Sequence, residues 1–210
     1  MTQMIKGTDI ILYTGNSTET VSNVLIGEPS ETELIGYKIP VYTIAIPKAD
    51  AHDWIDRKVS FFGNTFRTVG HPQQGMDENI PLCWNKKVKT ELLLTNGSCT
   101  VYEKDTLQRH VYANVLKSDN RGITTSKTGA QPTDDLKIYI YAVNNTDCYI
   151  PKTGDLIVDC ASDFVFDTST QQKASESMVA FRTAYKGYAA VKAVTQKYSG
   201  ISPDIEITAR

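Results

Sequence analysis

The residues of this chain that could carry chemistry are few and scattered. His52 stands in Ala51-His52-Asp53-Trp54, with Asp50 and Asp56 close by. That composition suits a general base oriented by a carboxylate, or one part of a metal site. Side chains at i and i+1 diverge on both strands and helices, however, and no second His is near. The segment reads instead as a polar turn before a strand, with Trp54 anchoring it to the core. His71 and His110 are isolated in sequence. The cysteines Cys83, Cys99, Cys148 and Cys160 form no CxxC pair and have no His at metal-ligand spacing. None stands beside a plausible base, so no thiol nucleophile is expected, and the thiols read as reduced and partly buried. Gly70, Gly75, Gly122 and Gly129 do not build a phosphate loop, because no G-x-x-x-x-G-K pattern exists. Asp134-Asp135 reads as a solvated acidic pair. The expectation is a protein that is not an enzyme, with no catalytic residue, no metal ligand and no cofactor.

The densest basic run is Lys86-Lys87-Val88-Lys89. On a strand, Lys87 and Lys89 project to one face, and Lys86 and Val88 to the other. It reads as a solvated, lumen-facing or partner-facing strand. Contact with nucleic acid is one alternative, and edge-strand protection accounts for the same lysines. The net charge of −2 argues against a bulk polyanion binder. The charge is also even, with 9 basic and 11 acidic groups in residues 1–94 and 13 of each in 95–210. Hydrophobic content of 40% and charged content of 22% fit a folded protein. No apolar run reaches transmembrane length, so no membrane association is expected. Met1–Gly7 lacks the basic start and apolar stretch of a signal peptide, so the sequons at Asn16, Asn96 and Asn144 carry no expectation of glycosylation.

The elements that must position these residues are mostly strands. Residues 8–13 and 19–25 read as a hairpin around Thr14–Ser17. Gly27–Gly36 reads as a loop. Val41–Ile46 is apolar on both alternating sets, which suggests a strand covered on both faces or against a neighbouring subunit. Lys58–Phe62 and Thr65–Val69 form a hairpin across Gly63-Asn64. His71–Leu82 and Lys117–Asp135 read as long polar loops, the kind that order against partners. Trp84–Leu94, Ser98–Glu103, Arg109–Leu116, Leu136–Val143, Leu156–Asp159, Ala189–Tyr198 and Asp204–Thr208 complete the strands. Ala174, Met178, Phe181 and Tyr185, at i, i+4, i+7 and i+11, predict one helix over about 171–187, stopped by Gly187.

The chain also repeats itself. Ile10-Ile11-Leu12-Tyr13 followed by Asn23-Val24-Leu25 is matched by Thr100-Val101-Tyr102 followed by Asn114-Val115-Leu116. A divergent duplication follows: a mainly β protein with two small β-barrel or sandwich modules in tandem, 1–95 and 96–210, joined at Asn96-Gly97. The second carries the inserted helix. Trp54, Phe61 and Trp84 are the expected structural anchors of the first module. The bets for ring or partner contact are His71, Gln73, Gln74, Met76, Asp77, Glu78, Asn120, Arg121 and Lys127.

One stretch carries a family likeness: Ile46-Pro47-Lys48, His52-Asp53-Trp54, Val59-x-Phe61-Phe62-Gly63, Phe66-Arg67-Thr68, Pro72-x-x-Gly75, Ile80-Pro81-Leu82 and Trp84-Asn85-Lys86-Lys87-Val88-Lys89-x-Glu91. In order and spacing it resembles the minor capsid or head–tail connector proteins of tailed phages and prophages of Gram-positive bacteria. The likeness covers most of residues 5–93. Residues 98–210 look like a second small neck protein, through Ser98–Tyr102, Arg109-His110-Val111, Asn120-Arg121 and Ile150-Pro151-Lys152-x-Gly154-Asp155. The resemblance implies a structural virion protein in the phage neck, made in the host cytoplasm. It implies a homo-oligomeric ring of 6 or 12 copies between portal and tail that helps close the head and retain DNA. The implied partners are the protein itself, a portal or adaptor protein and a tail-tube or tail-completion protein, with non-specific contact to packaged DNA. Two alternatives are a tail-completion or tail-terminator protein, and a carbohydrate- or nucleic-acid-binding β module using Tyr139, Tyr141 and Tyr149 as a stacking platform.

Overall fold

The computed structural model describes residues 6–15, 17–76, 82–126, 129–145, 148–198 and 202–210, with only the backbone of 120–134. The chain is mainly β. It divides into two compact units, Met1–Leu94 with Tyr198–Pro203, and Thr95–Lys197 with Asp204–Arg210.

The first unit holds β1 (Thr8–Thr14), β2 (Ser17–Ile26), β3 (Ser30–Leu34), β4 (Tyr37–Pro47), β5 (Lys58–Phe61), β6 (Asn64–Gln74) and β7 (Trp84–Leu92). Its sheet runs β2-β1-β5-β6-β7-β4-β3. Leu25↔Ala45 and Ile26↔Ile44 also pair, so β2 meets β4 and six strands return on themselves. A bond from Gly27 N to Thr43 O of 2.9 Å extends that seam. The inward row includes Ile10, Leu12, Val24, Ile44, Ile46, Val59, Phe66 and Val88, with Trp54 sealed among them. Full burial of such a side chain stabilises by about 1.5–3 kcal/mol.

The second unit holds β8 (Gly97–Tyr102), β9 (Arg109–Ser126), β10 (Gly129–Ile140), β11 (Leu156–Val158), α1 (Gln171–Ala184), β12 (Ala189–Tyr198) and β13 (Pro203–Ala209). Its strands close a barrel in the order β10-β13-β12-β11-β8-β9. Cys99, Val101, Tyr112, Val115, Ile138, Ile140, Ile157, Val191, Ile205 and Ile207 fill it.

The two barrels have the same wiring. If β1, β2, β4, β5, β6 and β7 are replaced by β8, β9, β10, β11, β12 and β13, every neighbour relation reappears. The register agrees as well. Ile11↔Ser60, Leu12↔Val59 and Tyr13↔Lys58 in the first barrel match Thr100↔Val158, Val101↔Ile157 and Tyr102↔Leu156 in the second. Tyr42, Ile44 and Ile46 opposite Thr90, Val88 and Lys86 match Leu136, Ile138 and Ile140 opposite Ala209, Ile207 and Ile205. The sequence repeat Asn-Val-Leu marks a shared β-bulge. Register shifts between Thr8 and Ile10 against β2, and between Gly97 and Cys99 against β9. The extra residue is Asn23 (φ 63°) in one barrel and Asn114 (φ 52°) in the other. Asn tolerates this left-handed conformation better than most residues. Each Asn carbonyl accepts a side-chain N–H, from Trp84 Nε1 at 2.6 Å and from Asn144 Nδ2 at 3.1 Å.

The helix forms as its spacing predicts, and Thr170 caps it by accepting from Lys173 N at 3.2 Å. It ends at Ala184 rather than 187, with Tyr185 leaving helical geometry. Phe181 is its only buried residue and packs with Tyr102, Val158 and Phe166. The first barrel has no counterpart to this helix. There β5 and β6 are joined by Phe62 (φ 50°) and Gly63 (φ 73°), a type I′ turn with both residues left-handed. The turn is therefore Phe62-Gly63, one residue earlier than the Gly63-Asn64 expected.

Three segments expected as loops contain strands. Within Gly27–Gly36, β3 pairs along β4 from Ser30↔Val41 to Leu34↔Tyr37. Only Leu34 of β3 is buried, so its sequence shows no apolar alternation. Within 71–82, β6 continues to Gln74. Within 117–135, β9 and β10 form a continuous ladder from Gly129↔Ser126 inward to Tyr139↔Leu116. Pairing to β13 stops at Leu136, and pairing to β8 stops at Val115. Among the described residues, the outer part is thus a two-stranded arm about 20 Å long, at about 3.3 Å per residue.

Candidate interaction surfaces

The basic strand lies inside the sheet, not at its edge. β7 is flanked by β6 and β4, so edge protection does not explain its lysines. The alternation is as expected: Lys87 and Lys89 are exposed, while Val88 is buried. Lys86 is half-buried, and its Nζ donates to the Asp50 carbonyl at 2.6 Å. It therefore holds the β4–β5 connection and is not available to a lumen or partner in the way Lys87 and Lys89 are.

β6 brings other expected contact residues beside this strand. After a bulge between Val69 and Gln73, Gln73 pairs with Lys87 and Gln74 with Lys86. His71, Gln73, Gln74 and Met76 are exposed, Met76 to 68%. One outward patch thus joins Gln73 to Lys87. Asp77 and Glu78 lie outside the described residues. Asn120 and Arg121 lie on the arm, paired through the backbone with Asp135 and Asp134. Lys127 also lies outside the described residues.

The three anchors are buried in the first unit. Trp54 donates from Nε1 to Asp50 Oδ2 at 2.7 Å. Trp84 binds the bulge carbonyl of Asn23. Phe61 stacks on Phe66 with centroids 4.1 Å apart and planes 4° from parallel. The apolar strand at 41–46 is not covered evenly on both faces. Ile44 and Ile46 are buried and Tyr42 packs edge-on against Phe61 and Phe66, while Thr43 is exposed and Val41 and Ala45 are half-exposed.

His52 does not pair with its neighbour Asp53, which binds Arg57 at 2.9 Å. It meets two other carboxylates: Asp50 Oδ1 lies 2.6 Å from Nδ1, and Glu19 Oε2 lies 2.8 Å from Nε2. The bonds to Asp50 and Glu19 raise its pKa, in that order of influence. Glu19 lies 33 positions away, and no local pattern signals it. His110 is not isolated either. Its Nε2 lies 2.8 Å from Glu103 Oε1, and its ring stacks on Tyr149 at 4.3 Å.

The Pro-Lys-Thr-Gly-Asp motif is a structural knot. Gly154 is left-handed at φ 97°. The buried Asp155 carboxylate accepts from Lys104 N (2.9 Å), Lys152 N (2.7 Å) and Tyr149 OH (3.0 Å). Burial, then the bond to Asp155, raises the Tyr149 phenol above its ordinary range. An exposed tyrosine platform is not built. Tyr139 and Tyr141 are buried, Tyr139 donates to Asp204 Oδ2 at 2.9 Å, and Tyr149 is half-buried against His110. Among the described residues, no group of three or more His, Cys, Asp or Glu could hold a metal ion. No described helix is long and apolar enough to cross a membrane.

No curated protein and no solved structure matches the chain. A family match covers residues 94–210, more than half of the chain and the whole of the second barrel. The chain belongs to that family, described as a family of unknown function (DUF6751).

Proposed function

We propose that this chain is a structural virion protein. It forms a homo-oligomeric ring, of 6 or 12 copies, in a phage neck between portal and tail, and it helps close the head and retain DNA. The likeness of residues 5–93 to head–tail connector proteins supports this reading. The observation that carries it is the β9–β10 arm. Two-stranded ribbons are marginally stable in water by themselves, so an arm of this length fits a segment that rests on a neighbour. Closed barrels suit the same role, because they leave few strand edges for unwanted pairing. In this reading Lys87, Lys89 and Gln73 face the lumen or a partner, and a portal, adaptor or tail protein covers the ring's two ends.

The test is assembly. Negative-stain images of the full chain should show rings, and a strict monomer at high concentration would overturn the proposal. Deleting 119–133 spares the pairs Ser118↔Lys137, Lys117↔Ile138 and Leu116↔Tyr139, so the barrel should still close. The shortened protein should fold and fail to assemble. Infectious particles of normal yield from that deletion would remove the arm from the argument. Co-purification with tails instead of heads would move the protein to tail completion.

A further inference from the structure

The connection between β4 and β5, residues 48–57, crosses to the β1–β2 hairpin and is fastened there by His52. A neutral imidazole has one N–H donor and one bare lone pair. Here both ring nitrogens face carboxylate oxygens, Asp50 at 2.6 Å and Glu19 at 2.8 Å. Only the doubly protonated ring can donate to both. We propose that His52 is the pin of an acid-closed latch that ties this connection to the β1–β2 hairpin and opens when the ring loses a proton.

The geometry also says which bond gives way. Asp50 is fixed: its side chain is 5% exposed, and its oxygens accept from Trp54 Nε1 at 2.7 Å and His52 N at 3.2 Å. Lys86 of β7 holds the Asp50 carbonyl from beneath. Asp53 and Arg57 pair with each other within the connection. Glu19 is half-exposed, and its remaining partner is the exposed Thr14 hydroxyl at 3.0 Å. On deprotonation the one remaining N–H stays with Asp50. The Nε2 lone pair then faces the Glu19 carboxylate, and Glu19 turns to water. The Asp50–Trp54 anchor stays while the link to the hairpin opens.

The sign follows from the raised His52 pKa. The link contributes fully at pH below the unfolded imidazole pKa, and it is lost as pH rises through the folded one. The experiment is a histidine NMR titration of the full chain, native and in urea, with Glu19→Gln alongside. His52 should titrate at higher pH in the native protein than in urea, and Glu19→Gln should lower the native midpoint. Hydrogen exchange of residues 48–57, corrected for intrinsic rates, should be faster in Glu19→Gln than in the unmodified protein below the transition, and equal above it. A native midpoint at or below the urea value overturns the latch. So does a midpoint, or a protection difference across pH, that Glu19→Gln leaves unchanged.

Discussion

Replacing Phe181 by Ala should detach the helix and leave the barrel standing. Phe181 is fully buried and is the only buried residue of α1. Its ring lies 5.2 Å from Tyr102, 5.4 Å from Phe164, 5.1 Å from Phe166, 5.3 Å from Tyr185 and 5.6 Å from Tyr188. Truncating a buried Phe costs about 3–5 kcal/mol. At about 1.4 kcal/mol per tenfold change, local opening rises by roughly two to three and a half powers of ten. An isolated helix of 14 residues is marginal in water. Without the Phe181 ring, this one keeps the partly buried Met178, the Ser177 hydroxyl that accepts from Asp167 N at 3.1 Å and the exposed Lys173–Asp167 pair as contacts outside the helix. The barrel core of Val101, Ile138, Ile157 and Ile207 does not include Phe181. The first barrel has the same wiring and joins the equivalent strands by a two-residue turn, so closure does not depend on the helix. Hydrogen exchange with mass spectrometry reads the outcome. Amides of 171–184 should lose protection by that factor, while β8, β10 and β13 keep theirs. Equal loss across helix and strands would refute the reasoning, as would unchanged protection of the helix.

Two further outcomes follow from the repeated barrel and its burial. Val at Asn23 or at Asn114 should destabilise by about 1–2 kcal/mol, the cost of a left-handed conformation for an ordinary L-residue. Gly at either position should cost less, and chemical denaturation compares the four variants; equal costs for Val and Gly would count against the bulge argument. Cys99 should resist a thiol reagent until the protein unfolds, because it is fully buried and burial pushes its pKa up to about 12. Exposed Cys83 and Cys160 should react first, read by mass spectrometry of the labelled peptides.

Much of the fold is legible because the chain alternates where a barrel interior must be filled. Ile138, Ile140, Ile205 and Ile207 are separated by polar or outward residues, and their strands follow from period two. The helix α1 is legible from Ala174, Met178, Phe181 and Tyr185 at helical spacing. The twin Asn-Val-Leu motif signals the duplication because the shared bulge needs a residue that accepts positive φ. Where a strand carries no apolar alternation, that signal is gone. Ser30–Leu34 buries only its last residue, and the arm is written in Ser, Thr, Asp and Gly. Both therefore look like loops, although their backbones pair as strands. Phe62 misleads in another way, because a bulky aromatic residue is unexpected at a left-handed turn position.

The sequence by itself determined the mainly β class, the two modules, the helix and the outward direction of Lys87 and Lys89. Local periodicity and local composition are enough for these. Tertiary structure decided that the two sheets share one wiring and register, and that β7 is interior. It also buried Tyr139 and Tyr141, which the alternative binding-module reading needs exposed, and set His52 between Asp50 and Glu19. Each of these depends on residues far apart in the chain. Their contacts are set by how the strands close, which no local pattern of residues encodes.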